Sequence, residues 1–286
     1  MTFSIFQSYQ ENGFYVAKNI IPREAIEDVK KSILYILNDQ LQRLSLSKEE
    51  NHYFALKNLF DHDLTRYLST LRVLTNLKSM YDLFFRSEIQ ETLEALHLTL
   101  PIIPTGPAFH IVSPTLKPEG GYSGFAPHQD WTSMQGSLDS LIVWIPFSSI
   151  NSHFFPIDII PSSHLKGLLS GEIQEFVYEV GSEHYRESDF VPLELECGDA
   201  VFFSSFTVHR TSTHGPKNNV RLAASLRFEN ATEKTFADRL YPCAYKRVVN
   251  RQLIHESFPT INDLKPIFPK AGIFKNSGNG GGALTR

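Results

Sequence analysis

The chain has 286 residues, with 27 basic and 31 acidic side chains and a formal charge of −4, which excludes the basic footprint of a nucleic-acid binder. Apolar residues at 42% against 20% charged exclude a disordered chain, and two cysteines, Cys197 and Cys243, exclude a disulfide framework or a four-thiolate zinc site. The opening MTFSIFQSYQENGF lacks the basic start and apolar core of a signal peptide, and no apolar run reaches bilayer length. With thiol usage that fits a reducing compartment, these features predict a cytoplasmic protein.

The first third reads as helical. Pro22 suits a first helical turn, and Ile26, Val29, Ile33, Leu37 and Leu41 follow at helical spacing. A second helix is predicted through Tyr53, Leu56, Leu59 and Phe60. A third is predicted from about Leu64 to Leu96, with Leu71, Leu74, Leu77, Tyr81, Phe84 and Leu93 as its apolar positions. Such stripes are core-packing faces.

Near Leu100 the character changes. Short β-branched and aromatic runs alternate with Pro, Gly and Ser clusters. Strands are predicted at Ala108–Val112, Ser140–Phe147, Phe154–Ile160, Leu193–Glu196, Ala200–Phe203 and Arg221–Phe228, with a turn at Gly198-Asp199. The expected architecture is mainly β, with N-terminal and flanking helices around a jelly-roll core. One domain is expected over residues 1–275: a helical part to about 97, the core from about 98 to 235, then a C-terminal extension. The Gly-rich segment Asn276–Arg286 reads as a flexible tail.

The segment PHQDW holds His128 and Asp130 two residues apart, and on a strand such residues share a face. An imidazole and a carboxylate would then converge on one point, which suits a divalent metal. His209 follows an apolar strand and a turn and can supply a third ligand. Two histidines and one carboxylate on one face leave the opposite positions open, the usual set of a non-haem Fe(II) oxygenase. Twelve residues on, Arg221 opens the last predicted strand. Its fork suits a partly buried carboxylate, and Ala223 and Ser225 on the same face leave room beside it. Arg227 shares that face and is the fallback anchor. The same two-His-one-Asp set also suits a zinc hydrolase, and a non-catalytic jelly-roll binding module is a further alternative.

Together these residues resemble the phytanoyl-CoA dioxygenase family of Fe(II)/2-oxoglutarate-dependent oxygenases. The resemblance runs through SYQENGFYVAKNIIPREAIEDVKKSI, HQDW, the strand SLIVWIPF, the turn IIPSSHLKG and LECGDAVFFSSFTVHRTS. It implies a double-stranded β-helix, also called a jelly roll or cupin-like fold. It implies Fe(II) on His128, Asp130 and His209, with 2-oxoglutarate and O2 as co-substrates. Arg221 falls where the family anchors the distal carboxylate of 2-oxoglutarate, and Thr211 is a candidate second donor. Retention of Asp130 favours hydroxylation over halogenation, since halogenating relatives carry a small residue there. Three departures lie outside the ligands: NSHFFPIDIIPSSH replaces the usual Asn-Gly turn, Ser162 stands for a usual Gly, and the His209–Arg221 interval is about one residue long.

His110 and Ser113, near the strand before HQDW, are candidates to meet the metal-bound carboxylate of 2-oxoglutarate. Gln135, Trp144 and Arg239 are candidate cavity residues. Gln129 is expected to face away from the metal, Trp131 to pack, and His164 to be structural in its turn. His153 and His214 are read as loop residues. The basic stretch Arg239–Arg251 reads as a solvated face or a receptor for an anionic group. The expected partner is a small-molecule substrate, with neither nucleic acid nor membrane involved; oligomeric state and substrate identity stay open.

Overall fold

The computed structural model of the chain describes residues 4–118, 124–174 and 177–237. The basic stretch Arg239–Arg251, with Arg239 itself, and the Gly-rich tail lie outside these residues. Helix α1 (Ile5–Asn12) is closed at its start by a reciprocal Ser4–Gln7 capping box and at its end by Gly13 in a left-handed conformation, φ 79°. A side chain at Gly13 would collide with His164 and Thr207, so the chain must be bare there to enter β1 (Phe14–Ala17). Helix α2 (Arg23–Arg43) begins directly after Pro22 and buries Ile26, Val29, Ile33, Leu37 and Leu41, the stripe read from the sequence. Helix α3 (His52–His62) is capped by the Asn51 side chain and buries Tyr53, Leu56 and Leu59.

The third predicted helix is three: α4 (Leu64–Thr75), α5 (Lys78–Phe84) and α6 (Ser87–Ala95). Leu77 and Arg86 take extended backbone angles at the two breaks, with no Gly or Pro to announce them. Each break re-aims a short apolar face, so that Leu74, Leu83, Phe84, Ile89 and Leu93 all reach the core.

The remaining elements are β2 (Pro101–Ile102), β3 (Ala108–Val112), the single-turn α7 (Trp131–Met134), β4 (Leu141–Pro146), β5 (Ile157–Ile159), β6 (Gly171–Gln174), β7 (Val177–Val180), β8 (Val191–Pro192), β9 (Ala200–Ser204), β10 (His209–Thr211) and β11 (Arg221–Asn230). Two expected strands shrink. Of Leu193–Glu196, Leu195 forms an isolated bridge to Ile150 and the Leu193 N–H donates to the Ile157 carbonyl at 2.9 Å, but no named strand results. Phe154–Ile160 shortens to β5 because Phe155 has a positive φ of 46° and Pro156 follows it. Such an angle is a true outlier for a bulky side chain and costs on the order of 1–3 kcal/mol.

Six strands form the major antiparallel sheet in the order β1-β9-β4-β11, with β2 and β3 both paired along the outer edge of β11. The minor sheet runs β10-β5-β8, and β6–β7 is a hairpin. His128 bridges both His209 and Glu179 of β7, which joins the hairpin side to the minor sheet. The two faces of the major sheet are sorted by alternation. Leu141, Val143, Ile145, Phe202, Leu222, Ala224 and Leu226 pack under the helices. Ile142, Trp144, Val201, Phe203 and Ala223 face Ile157 and Ile159 of the minor sheet. This is a jelly roll with a helical layer on one outer face, and the described residues are about 36% helix against 22% strand. The site lies between the two sheets.

Candidate metal centre

His128 and His209 are brought together by their own peptides. The N–H of His128 donates to the His209 carbonyl at 3.0 Å, and the reverse bond is 3.1 Å. Residues that exchange both backbone bonds across an antiparallel pair point their side chains to the same side, and the two rings lie 4.1 Å apart between centroids. Asp130 arrives differently from the strand expectation. It has helical backbone angles and caps α7, so the chain bends immediately after His128 and turns the carboxylate back to the imidazoles. The Trp131 N–H, bonded to the Ser205 carbonyl at 3.0 Å, fixes that bend. One ligand atom from each of His128, Asp130 and His209 lies within 4.8 Å of the others, and all three residues are buried.

The chemistry of these atoms fits a divalent cation. Each Nδ1 is tied to a backbone carbonyl, His128 to Ala126 at 2.7 Å and His209 to Thr207 at 3.0 Å. A carbonyl only accepts, so each Nδ1 carries the proton and each Nε2 keeps its lone pair. The His128 Nε2 lies 3.8 Å from Asp130 Oδ1. Burial, with the neighbouring His209 next, pushes His128 down to about 3, and burial lowers His209 as well. Both imidazoles are therefore neutral at pH 7. Burial, the largest influence, would raise Asp130, but the Arg227 guanidinium, at 3.2 Å from Oδ1, and the imidazoles of His209 and His128 together outweigh it and hold the carboxyl well below the usual range. Two neutral nitrogens and one carboxylate on one side, with the opposite side facing a cavity, form the facial donor set of non-haem iron.

These shifts set a pH dependence for the metal-free protein. His128 and His110, the latter lowered mainly by burial and next by Arg221, both sit at about 3 in the fold against 6.5 ordinarily. Above 6.5 both states hold them neutral. Below it the unfolded chain takes up protons that the folded chain refuses, so stability is lost as pH falls from 6.5 toward 3. The expected melting temperature is level from pH 8 to 7 and drops steadily below pH 6. A level curve down to pH 4 would contradict these burial assignments.

The other expected residues divide. Arg221, Thr211, His110 and Trp144 line the cavity beside the triad, and so does Arg227. Arg221 is buried; it donates from Nη1 to the Phe155 carbonyl at 2.8 Å, and its guanidinium lies 5.1 Å from the Trp144 ring centroid. His110 Nε2 bonds the Ser225 hydroxyl at 2.8 Å. Ser113 and Gln135 are not in the lining. Ser113 is turned to Thr115, 3.3 Å away. Gln135 ends α7 in a left-handed conformation with its amide on the Thr132 carbonyl. Gln129 does point away from the metal, and its buried amide ties the Gly167 and Phe206 carbonyls to the Leu169 N–H. Trp131 stacks on Phe206, and His164 bonds the Gln10 carbonyl at 2.9 Å. His153 and His214 meet each other on an exposed loop. Sequence reasoning held Arg227 only as a substitute anchor; its pairing with Asp130 rests on a chain crossing that spacing does not reveal.

Residues 9–220 match the family described as phytanoyl-CoA dioxygenase (PhyH). The chain belongs to the phytanoyl-CoA dioxygenase family. Membership makes it an oxidoreductase that depends on Fe(II) and 2-oxoglutarate with O2 as co-substrate, and it sets aside the zinc-hydrolase and binding-module alternatives. Among solved structures, the chain is similar to the non-haem α-ketoglutarate-dependent epimerase SnoN of nogalamycin biosynthesis, at 16% identity over 80% of each chain with a TM-score of 0.51. It is similar to the non-haem monooxygenase ThoJ in its apo form, at 14% identity over 79% of this chain and 77% of that one, TM-score 0.56. It is also similar to apo EctD from S. alaskensis, at 14% identity over 79% and 76%, TM-score 0.51. At these identities the likeness is one of fold. No curated protein sequence matches the chain. Among the described residues, no helix is long and apolar enough to cross a membrane.

Proposed function

We propose that this member of the phytanoyl-CoA dioxygenase family hydroxylates a C–H bond of a small-molecule metabolite, with release of succinate and CO2. The observation that carries this reading is the buried triad of His128, Asp130 and His209, whose two Nδ1 atoms are tied back so that both Nε2 lone pairs are offered with the carboxylate. Fe(II) on this set, with 2-oxoglutarate bound, supplies the O2 activation that the side chains cannot supply themselves. Arg221 binds the distal carboxylate of the keto acid, with Thr211 as second donor, and Trp144 supports the guanidinium plane. His110, held by Ser225, faces the same cavity as a neutral hydrogen-bonding group. Ile142, Ile157 and Phe203 wall the cavity with apolar surface that excludes bulk water from the reacting centre. Asp130 keeps the third ligand position filled, which favours hydroxylation over halide transfer.

The test is an anaerobic titration of metal-free protein with Fe(II) and 2-oxoglutarate, followed by visible absorption. Chelation of the keto acid gives a charge-transfer band. A band in wild type that vanishes in His128→Ala supports the reading. A wild-type protein that binds Fe(II) and never develops the band refutes it. Succinate release with O2 then screens for the substrate.

A further inference from the structure

Phe155 sits at a junction that the proposed chemistry does not use. It is wholly buried and left-handed, φ 46°. Its N–H donates to the His214 carbonyl at 2.8 Å, on the loop that leaves β10 just after His209 and Thr211. Its carbonyl accepts from Arg221 Nη1 at 2.8 Å, at the start of β11. One residue thus ties the strand that carries a metal ligand to the strand that carries the arginine. The neighbouring Ser212 N–H bonds the Pro156 carbonyl at 3.0 Å, which extends the β5–β10 pairing up to this point. A bulky side chain enters the left-handed region only when its surroundings hold it there. Here the holding surface is Gly215: a Cβ built on it would stand 2.4 Å from one Phe155 ring carbon and 2.6 Å from two others. The unusual turn NSHFFPIDIIPSSH and the long His209–Arg221 interval, noted in the sequence as separate departures, meet at this ring.

We propose that Phe155 is a positioning residue for the co-substrate site: its ring, seated against Gly215, locks the left-handed peptide whose carbonyl orients the Arg221 guanidinium. This rests on the assignment of Arg221 to the distal carboxylate of 2-oxoglutarate. The carbonyl takes one donor of the fork and so fixes the plane in which the other donors lie. A shift of the ring moves that peptide, and Arg221 with it, while the triad, held by its own backbone bonds, stays in place.

The test uses the full chain in four forms: wild type, Gly215→Ala, Phe155→Gly and the double variant. Anaerobic 2-oxoglutarate titration of the Fe(II)-loaded protein reads keto-acid binding, and Co(II) absorption without keto acid reads the metal site. Gly215→Ala is expected to raise the 2-oxoglutarate dissociation constant about fivefold and leave Co(II) affinity within about twofold, because only the ring is displaced. Phe155→Gly is expected to raise it about tenfold, and Gly215→Ala added to Phe155→Gly is expected to do nothing more, since the ring it pushes is gone. An unchanged constant in either single variant overturns the inference, as does a Gly215→Ala effect of equal size in both backgrounds. Arg221→Ala is run beside them. If that variant binds 2-oxoglutarate like wild type, the assignment of Arg221 fails; if it loses binding while the Phe155 and Gly215 variants do not, only the positioning role fails.

Discussion

Asp130→Ala is expected to lower Fe(II) affinity by about two orders of magnitude or more and to abolish the keto-acid absorption band, because it removes the one anionic group of the proposed ligand set. His128→Ala is expected to do the same to the metal. The two variants separate in the metal-free protein. Asp130 and Arg227 are a buried ion pair at 3.2 Å with both side chains at most 10% exposed. Removing one partner of such a pair costs about 3–5 kcal/mol, because the other charge keeps its burial and loses its counter-charge. Removing His128 takes out a neutral ring and leaves the charges balanced. Urea denaturation of the two apo variants therefore tests the pair independently of iron. Asp130→Ala should unfold at markedly lower urea than His128→Ala; equal midpoints would show that Arg227 does not depend on Asp130 for its charge balance.

Arg221→Ala is expected to raise the 2-oxoglutarate concentration for half-saturation about 100-fold, the loss of roughly 3 kcal/mol that removal of the proposed charge-assisted pair would cost. Arg221→Lys is expected to recover only part of that, since an ammonium cannot reproduce the planar fork. The metal site should be untouched, so Co(II) absorption stays as in wild type. Trp144 offers a second readout, because loss of the guanidinium that lies 5.1 Å from its ring centroid changes the indole environment. A constant that rises less than threefold in Arg221→Ala would move the co-substrate anchor elsewhere in the cavity.

What the sequence made legible follows periodicity and local motif. The α2 stripe Ile26–Val29–Ile33–Leu37–Leu41 and the alternation along β11 both express a repeat that one segment carries alone. That His128, Asp130 and His209 come together was legible because a His-x-Asp and a distal His occur in order. The route to their convergence was not. Asp130 reaches His128 through a helical bend and not along a strand, and the bend is held by Ser205, which is far away in sequence. The breaks at Leu77 and Arg86 were hidden for a related reason: tertiary packing overrides a continuous local preference, and no breaker residue stands there. Ser113 and Gln135 were placed by proximity to the motif, and each instead satisfies a local partner.

The paired peptide bonds between His128 and His209 have a consequence for how the protein acquires its ion. Because the chain itself already holds the two imidazoles side by side, metal uptake orders almost nothing, and affinity is left to the intrinsic preference of two nitrogens and an oxygen for one divalent ion over another. That preference rises from manganese through iron and cobalt to nickel and copper. The donor types by themselves therefore do not favour iron over its tighter-binding competitors. Correct loading with iron is then governed by which ions the surroundings make available when the protein is made, and mismetallated protein would be folded, stable and silent.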